Sequence, residues 1–232
     1  MPLPAQFLAE PLPTEPLVLA ADWLAEARRL RQQPNPDAMV VATIDAEGLP
    51  SARVVLCKDI VTEPGYLTFF SNYDSRKGRA LAERPRAALV LHWDHLHRQV
   101  RIEGQVLRAP AAESDAYFAT RPWQRRIGAW ASAQSQPVGS RAQLEADVAA
   151  VARRFGVPVP GPEDRADDPG VSIPRPPFWG GYHVWAEAVE LWVEGESRIH
   201  DRARWTRSLT PGSGDGAEAF RPGPWSVTRL QP

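Results

Sequence analysis

Hydrophobic positions first recur with a helical period and then with an alternating one. Leu17, Ala20, Leu24 and Ala27 share one stripe, which predicts an amphipathic helix over 17–33. Thr14 is placed to cap it, Pro16 suits its first turn, and Arg28, Arg29 and Arg31 suit the negative end of its dipole. Pro34-Asn35-Pro36 stops it. The period then drops to two. Strands are predicted over 38–44 and 51–58, joined as a hairpin by the turn Asp45 to Gly48, and over 66–71 after Pro64-Gly65. Two more follow at 87–93 and 99–107. In the latter, Val100, Ile102 and Val106 alternate with Arg101 and Glu103 until Gly104 breaks the rhythm, which predicts a bulge. His95 and His97 read as a turn between these two strands.

Three further helices are expected. Residues 75–83 form a short one, capped by Asp74 or Ser75 and ended by Pro85; residues 111–120 form another. Ser140 and Gln143 spell a capping box before the stripe Leu144, Val148, Val151 and Phe155, which ends near Gly156. Between them, Ile127 to Ser132 is small and apolar, fit for close packing. Strands return at 182–186, 188–193 and 225–230. The stretch Arg198-Ile199-His200-Asp201-Arg202 reads as extended, with Arg198, His200 and Arg202 on one face and Ile199 and Asp201 on the other. Roughly eight strands with short connections indicate an α+β protein that is mainly β, an antiparallel barrel with flanking helices. Residues 1–14 read as an irregular N-terminal segment, 15–232 as a single domain, and 157–177, with seven prolines, as an irregular insertion.

Composition narrows the function. The 232 residues carry 27 Lys+Arg against 28 Asp+Glu, a net charge of -1, which argues against nucleic-acid binding by bulk charge. One cysteine, Cys57, excludes an internal disulfide and a cysteine-rich metal site, and fits a reducing, cytoplasmic setting. The five histidines show no metal-ligand spacing. No apolar run is long enough to span a membrane, and no signal peptide is expected at the N-terminus. Neither a GxGxxG nor a GxxxxGK[ST] motif is present. Against near-zero net charge, cations stand inside strands or at helix starts: Arg53, Lys58, Arg76, Lys77, Arg121, Arg198, His200 and Arg202. Arg76 and Lys77 occupy a first helical turn, where the dipole disfavours them but free N–H groups favour a phosphate. Tyr117 and Arg121, four apart, share a helix face. Together these cations suggest a local pocket for phosphorylated small molecules.

The order and spacing of several motifs resemble the pyridoxamine/pyridoxine 5'-phosphate oxidases, FMN enzymes of the split-barrel flavoprotein fold. The resemblance runs from about Glu15 to Pro232. It is carried by Asn35-Pro36-Asp37-Ala38-Met39, Arg53-Val54-Val55-Leu56-Cys57-Lys58, Ser75-Arg76-Lys77, Arg98-Gln99-Val100 and Tyr117-Phe118-Ala119-Thr120-Arg121-Pro122. It continues through Ile127-Gly128-Ala129-Trp130, Gln134-Ser135, Phe178-Trp179-Gly180-Gly181, Glu190-Leu191-Trp192, Arg198 to Arg202, and Arg229-Leu230-Gln231-Pro232.

The resemblance implies a Greek-key split β-barrel and a homodimer with FMN at its subunit interface. It implies flavin contacts from Arg53, Val54, Val55, Leu56, Cys57, Lys58, Phe70, Ser71 and Gln99, with Arg76 and Lys77 at the FMN phosphate. Gln134, Ser135, Trp192 and Arg202 complete that set, from the opposite subunit. Lys58, Tyr117 and Arg121 match the residues that hold the substrate phosphate, and Arg198 and His200 those over the pyridine ring. The implied reaction oxidises pyridoxamine or pyridoxine 5'-phosphate to pyridoxal 5'-phosphate, with oxygen reoxidising the flavin to give hydrogen peroxide. The sequence departs from the family at Arg125, where a small hydroxyl residue is common, and at Phe70, where Tyr is usual; the family's N-terminal Arg-x-x-Tyr lid falls before Met1. Two alternatives stay open: a related flavin oxidase acting on another cyclic, phenazine-type substrate, and a non-catalytic binder of flavin or pyridoxal phosphate.

Overall fold

The structure is a computed structural model that describes residues 7–161 and 170–232. In chain order its main elements begin with α1 (Pro16–Leu30), β1 (Ala38–Ile44), β2 (Pro50–Leu56), β3 (Asp59–Val61), β4 (Tyr66–Asn72), α2 (Arg76–Glu83), β5 (Arg86–Trp93) and β6 (Arg98–Arg108). They continue with α3 (Ala111–Ala119), α4 (Trp123–Ala131), α5 (Arg141–Phe155), β7 (Trp179–Val193), β8 (Asp201–Thr206), β9 (Leu209–Pro211), β10 (Phe220–Pro222) and β11 (Ser226–Leu230). The chain divides into two compact units. The first comprises Met1–Phe69, Ala80–Arg108 and Tyr182–Pro232, the second Phe70–Arg79 and Ala109–Gly181.

The first unit is an antiparallel sheet in the order β11-β8-β7-β6-β5-β1-β2, with β3 and β4 attached through β7. This is the mainly antiparallel α+β, split-barrel architecture expected. The stripe of α1 is buried as read, with Trp23 added between Ala20 and Leu24. Its cap differs from expectation: Glu15, not Thr14, holds the N-cap position and makes no side-chain bond, because Pro16 already begins the helix. Inside the sheet lie Trp93, Trp185, Trp205, Met39, Leu89, Leu91 and Ile102, all less than 2% exposed.

Strand alternation sends the other residues outward, and register lines them up in rows. One row runs Val54, Val40, Val90, Arg101, Glu190, Arg204, Thr228 across seven strands. The neighbouring row runs His92, Gln99, Trp192, Arg202, Leu230. The outer face is therefore apolar over β1 and β2, mixed over β5, where Val90 lies between Arg86 and His92, and charged over β6, β7 and β8.

Three expectations are corrected here. Residues 182–186 and 188–193 are not two strands but parts of the single 15-residue β7. The bulge falls where expected, between Glu103 and Gly104, yet the extra residue is Glu187 on β7, since Glu103 pairs with Ala188 and Gly104 with Ala186. Gly104 is required because a Cβ there would lie 1.7 Å from the Trp185 carbonyl oxygen. Finally, 198–202 is not one extended segment. Glu196–Arg198 is a 3₁₀ turn, Ser197 (φ 54) and Arg198 (φ 65) are left-handed, and β8 starts only at Asp201. Arg198, His200 and Arg202 therefore do not share a strand face.

The second unit is mostly helical. Residues 127–132 are not merely a packing segment but largely helix α4, which packs on α5 around Trp123, Ile127, Ala152, Val157 and Ile173. Val157 and Ile173 come from the expected insertion, so its described parts are anchored in this core; residues 162–169 of it, like residues 1–6 of the N-terminal segment, lie outside the described residues. Ser140 caps α5 through the Gln143 N–H at 3.0 Å, while the Gln143 side chain turns to Asp147 instead of closing the box. Gly156 ends the helix in the left-handed conformation.

Candidate functional site

In the first unit, Arg53 rises from β2 on the inner side of the sheet. Its guanidinium donates to the Val41 carbonyl (3.1 Å), Thr43 Oγ1 (2.8 Å) and Ser51 Oγ (2.6 Å). Val54 and Leu56 point the other way and are exposed; Val55 is half-buried. Arg53 and Lys58, five apart, need not obey strand parity, because β2 ends at Leu56. The Cys57 N–H then bonds the Asp37 carbonyl (2.8 Å) and the Lys58 N–H the Thr68 carbonyl (2.8 Å). Arg28 fastens this bend by donating to the Cys57 and Lys58 carbonyls at 3.4 and 3.3 Å while paired with Asp37 at 2.7 Å. Cys57 itself is fully buried, and burial pushes its thiol pKa up to about 12, so it contributes backbone and packing, not thiolate chemistry.

Gln99, Trp192 and Arg202 are far apart in sequence but adjacent in the row described above. His200 joins them: its ring lies 4.8 Å from that of Trp192, and its Nδ1 accepts the Gly195 N–H at 3.2 Å. With Nδ1 accepting, the neutral ring carries its hydrogen on Nε2, which is left as a donor. Arg198 is exposed on the left-handed turn, and its side chain makes no hydrogen bond or ion pair with the described residues. Arg202 is fixed instead by Glu190, whose Oε1 accepts from Nη2 (2.8 Å) and Nε (3.2 Å).

In the second unit, Ser75 caps α2. Its Oγ accepts the Gly78 N–H at 3.2 Å, and Gly78 is needed because a Cβ would lie 2.0 Å from the Tyr73 carbonyl oxygen. The Lys77 ammonium, 7% exposed, donates to Ser71 Oγ (2.7 Å), Ser75 Oγ (3.2 Å) and Gln134 Oε1 (2.7 Å). Arg76, beside it on the first turn, is exposed. Gln134, which the resemblance assigned to the opposite subunit, thus sits on Lys77 and Ser71 of its own chain. Ser135 follows it in a left-handed conformation, φ 69. Next to this group is a cavity of about 430 Å³ lined by Asn72, Asp74, Trp130, Ser132, Gln134 and Phe178, among others.

The same unit assembles an aromatic stack. Phe70 lies 3.9 Å from Tyr117 and 5.5 Å from Trp179, nearly parallel to both. Gly180 and Gly181 allow it: a Cβ on Gly181 would lie 2.9 Å from the Phe70 ring, and one on Gly180 2.0 Å from the Tyr73 hydroxyl. The Arg121 guanidinium covers Trp179 at 4.8 Å. Its Nη1 is buried without a hydrogen-bond partner. Burial holds the Arg121 pKa below the usual arginine value; Tyr117 opposes the shift, and the charges of Arg125 and Arg126 add to it. Arg125 is exposed. A buried cationic donor with cationic neighbours calls for an anion.

Two residues with clear roles in these groups were missed as site residues. Trp179 carries Arg121, and Glu190 holds Arg202. The signal for Glu190 was present: it is a lone carboxylate in the otherwise apolar run Ala188 to Val193.

Comparison with known proteins follows the same lines. The family model described as pyridoxamine 5'-phosphate oxidase matches residues 25–155, and that of the pyridoxine 5'-phosphate oxidase C-terminal dimerisation region matches residues 179–232. The pyridoxine/pyridoxamine 5'-phosphate oxidase of Paracoccus denitrificans (strain Pd 1222) is 43% identical over 225 residues, covering 94% of this chain and 95% of that protein. The protein of the same name from Burkholderia multivorans (strain ATCC 17616 / 249) is 47% identical over 210 residues, covering 90% and 86%. Among solved structures, PhzG from Burkholderia lata 383, in complex with tetrahydrophenazine-1-carboxylic acid, aligns with a TM-score of 0.76 at 30% identity over 95% of this chain and 94% of that one. A pyridoxamine 5'-phosphate oxidase-related, FMN binding protein from Nostoc punctiforme PCC 73102 shares the fold, with a TM-score of 0.61 at 16% identity over 90% and 95% of the two chains.

Proposed function

The chain belongs to the pyridoxamine 5'-phosphate oxidase family and is an oxidoreductase, and from that premise we propose that it oxidises pyridoxamine and pyridoxine 5'-phosphate to pyridoxal 5'-phosphate with FMN and oxygen. Residues 15–232 act in this as one functional domain.

The donor set suits a phosphorylated flavin. Lys77 places a buried ammonium against Ser71, Ser75 and Gln134 at the start of α2, where the N–H groups and dipole also favour a phosphate. Arg76 stands beside it, Gln99, Trp192 and Arg202 form a polar and aromatic row, and Arg53 is braced in β2. FMN, when bound, supplies hydride acceptance from the 4' carbon and passes the electrons to oxygen. The protein's share is to bind and orient. In this reading Lys58, Tyr117, Arg121 and Arg125 hold the substrate phosphate. Arg198 and His200 attend the pyridine ring; His200 has its Nδ1 committed to the Gly195 N–H, which leaves an Nε2–H to donate to the substrate.

One observation carries the choice of a phosphorylated substrate: the buried, unpartnered Arg121 Nη1 above Trp179. A phosphate meets it with more charge and more acceptor oxygens than the single carboxylate of a phenazine-type acid. The likeness to PhzG keeps that second reading in view. A homodimer is supported by the match of 179–232 to a dimerisation region and by the exposed apolar residues Val40, Ile44, Val54 and Leu56 on β1 and β2. Among the described residues no helix is long and apolar enough to cross a membrane. The lone, buried Cys57 suits a reducing cytoplasm.

The test is product formation. The FMN-loaded protein, given pyridoxamine 5'-phosphate, pyridoxine 5'-phosphate or a reduced phenazine carboxylate, should form peroxide and pyridoxal 5'-phosphate with the first two and little peroxide with the third. Turnover of the phenazine alone would reject the reading.

A further inference from the structure

The outer sheet face carries an ion ladder beyond the residues assigned above. Glu190, 3% exposed, sits at its hub on β7. Its Oε1 takes two donors from Arg202 (2.8 and 3.2 Å), and its Oε2 takes Arg101 Nη1 at 3.1 Å. Arg101 continues to Glu103 Oε1 at 3.3 Å, and Glu103 closes on Arg204 at 2.8 Å. The remaining contact of Arg202 is Nη1 to the Gln231 carbonyl at 3.2 Å.

Three guanidiniums and two carboxylates leave a surplus of one positive charge. A buried carboxylate is costly unless its lone pairs are filled. Glu190 is filled by two arginines from different strands, so it specifies their rotamers in return. We propose that Glu190 is a positioning residue for the flavin: it holds Arg202 in the row with Gln99 and Trp192, and it cancels charge so that this row presents one fixed cationic edge. This rests on the reading that Arg202 bears on FMN. Glu103, more exposed and without contact to Arg202, belongs to the ladder but not to this function.

Holoenzyme with the substitutions Glu190→Gln, Arg202→Ala, the pair together, and Glu103→Gln should be diluted stepwise and FMN release read by the return of its fluorescence. Glu190→Gln keeps the shape but sets an amide N–H₂ against one guanidinium, and it should weaken FMN about tenfold. Arg202→Ala should weaken it at least as much. The double variant should be no weaker than Arg202→Ala, since Glu190 acts through Arg202. Glu103→Gln should leave FMN affinity within about twofold. Should Glu190→Gln fold poorly, Glu190→Asp, which keeps the charge but cannot span both arginines, should weaken FMN several-fold. Multiplying effects in the double variant, or Glu190 variants that hold FMN like the parent, would overturn the proposal. An Arg202→Ala protein that keeps full FMN affinity would instead overturn the reading beneath it.

Discussion

Replacing Arg121 by Met separates binding of the substrate phosphate from the rest of the chemistry. In the ligand-free protein the Arg121 Nη1 is buried and unpartnered, which costs about 1–3 kcal/mol. Against that stands its cation–π contact over Trp179 at 4.8 Å, worth about 0.5–1 kcal/mol. Met fills a similar volume and packs on an aromatic face. The ligand-free variant should therefore be as stable as the parent or more stable, by up to about 2 kcal/mol. With a phosphorylated substrate the sign reverses. The lost charge-assisted bond is worth about 1.5–3 kcal/mol, so kcat/KM should fall roughly 10- to 150-fold. The assay is kcat/KM for pyridoxamine 5'-phosphate and for unphosphorylated pyridoxamine, together with urea unfolding of the ligand-free protein. The fall should be confined to the phosphorylated substrate. An equal loss on both substrates, or a variant clearly less stable than the parent, would mark Arg121 as a structural strut and not a phosphate ligand.

Three further outcomes follow from particular residues. Gly104→Ala should cost about 3 kcal/mol in urea unfolding, since the new Cβ would meet the Trp185 carbonyl at 1.7 Å and force the bulge to move. Cys57 should resist a thiol reagent at pH 8 in the folded protein, its pKa being pushed to about 12 by burial, and react at once on unfolding. The Glu103 carboxyl lies below the usual glutamate range, first because Arg204 donates to it. Its contribution to stability should be fully present above about pH 4.3 and fade as pH falls through the lowered value. The Tm difference between the parent and Glu103→Gln should therefore shrink as pH is lowered from 5 toward 3.

The strongly periodic segments were legible: α1 and the alternating β6 bury the face their sequence marks, while the stripe read for α5 is only half-buried around Ala152. Other elements carried weaker signals. Helix α4 hid behind Pro122 and a mixed run of Trp, Gln, Arg and Gly, because its helicity depends on packing Trp123 and Ile127 against α5. The continuity of β7 was masked by Glu187, a charged residue that only the bulge explains. The left-handed backbone of Ser197 and Arg198 lies outside what non-glycine residues signal, and the tight turn needs Gly195, where a Cβ would lie 1.8 Å from the Ile199 carbonyl. At the site, cation content was visible but grouping was not. Gln99, Trp192 and Arg202 become neighbours only through strand register, and Gln134 reaches Lys77 across 57 residues of chain. Family resemblance named most of these residues; it included Glu190 in a motif but gave no role to the carboxylate that holds Arg202.

The most direct test of the central claim is the visible spectrum of the FMN-loaded protein titrated with pyridoxamine 5'-phosphate without oxygen. The yellow flavin band should bleach stoichiometrically, with pyridoxal 5'-phosphate appearing in equal amount, and return when air is admitted. A band that shifts on binding but does not bleach would contradict that claim and identify a binder, not an oxidase.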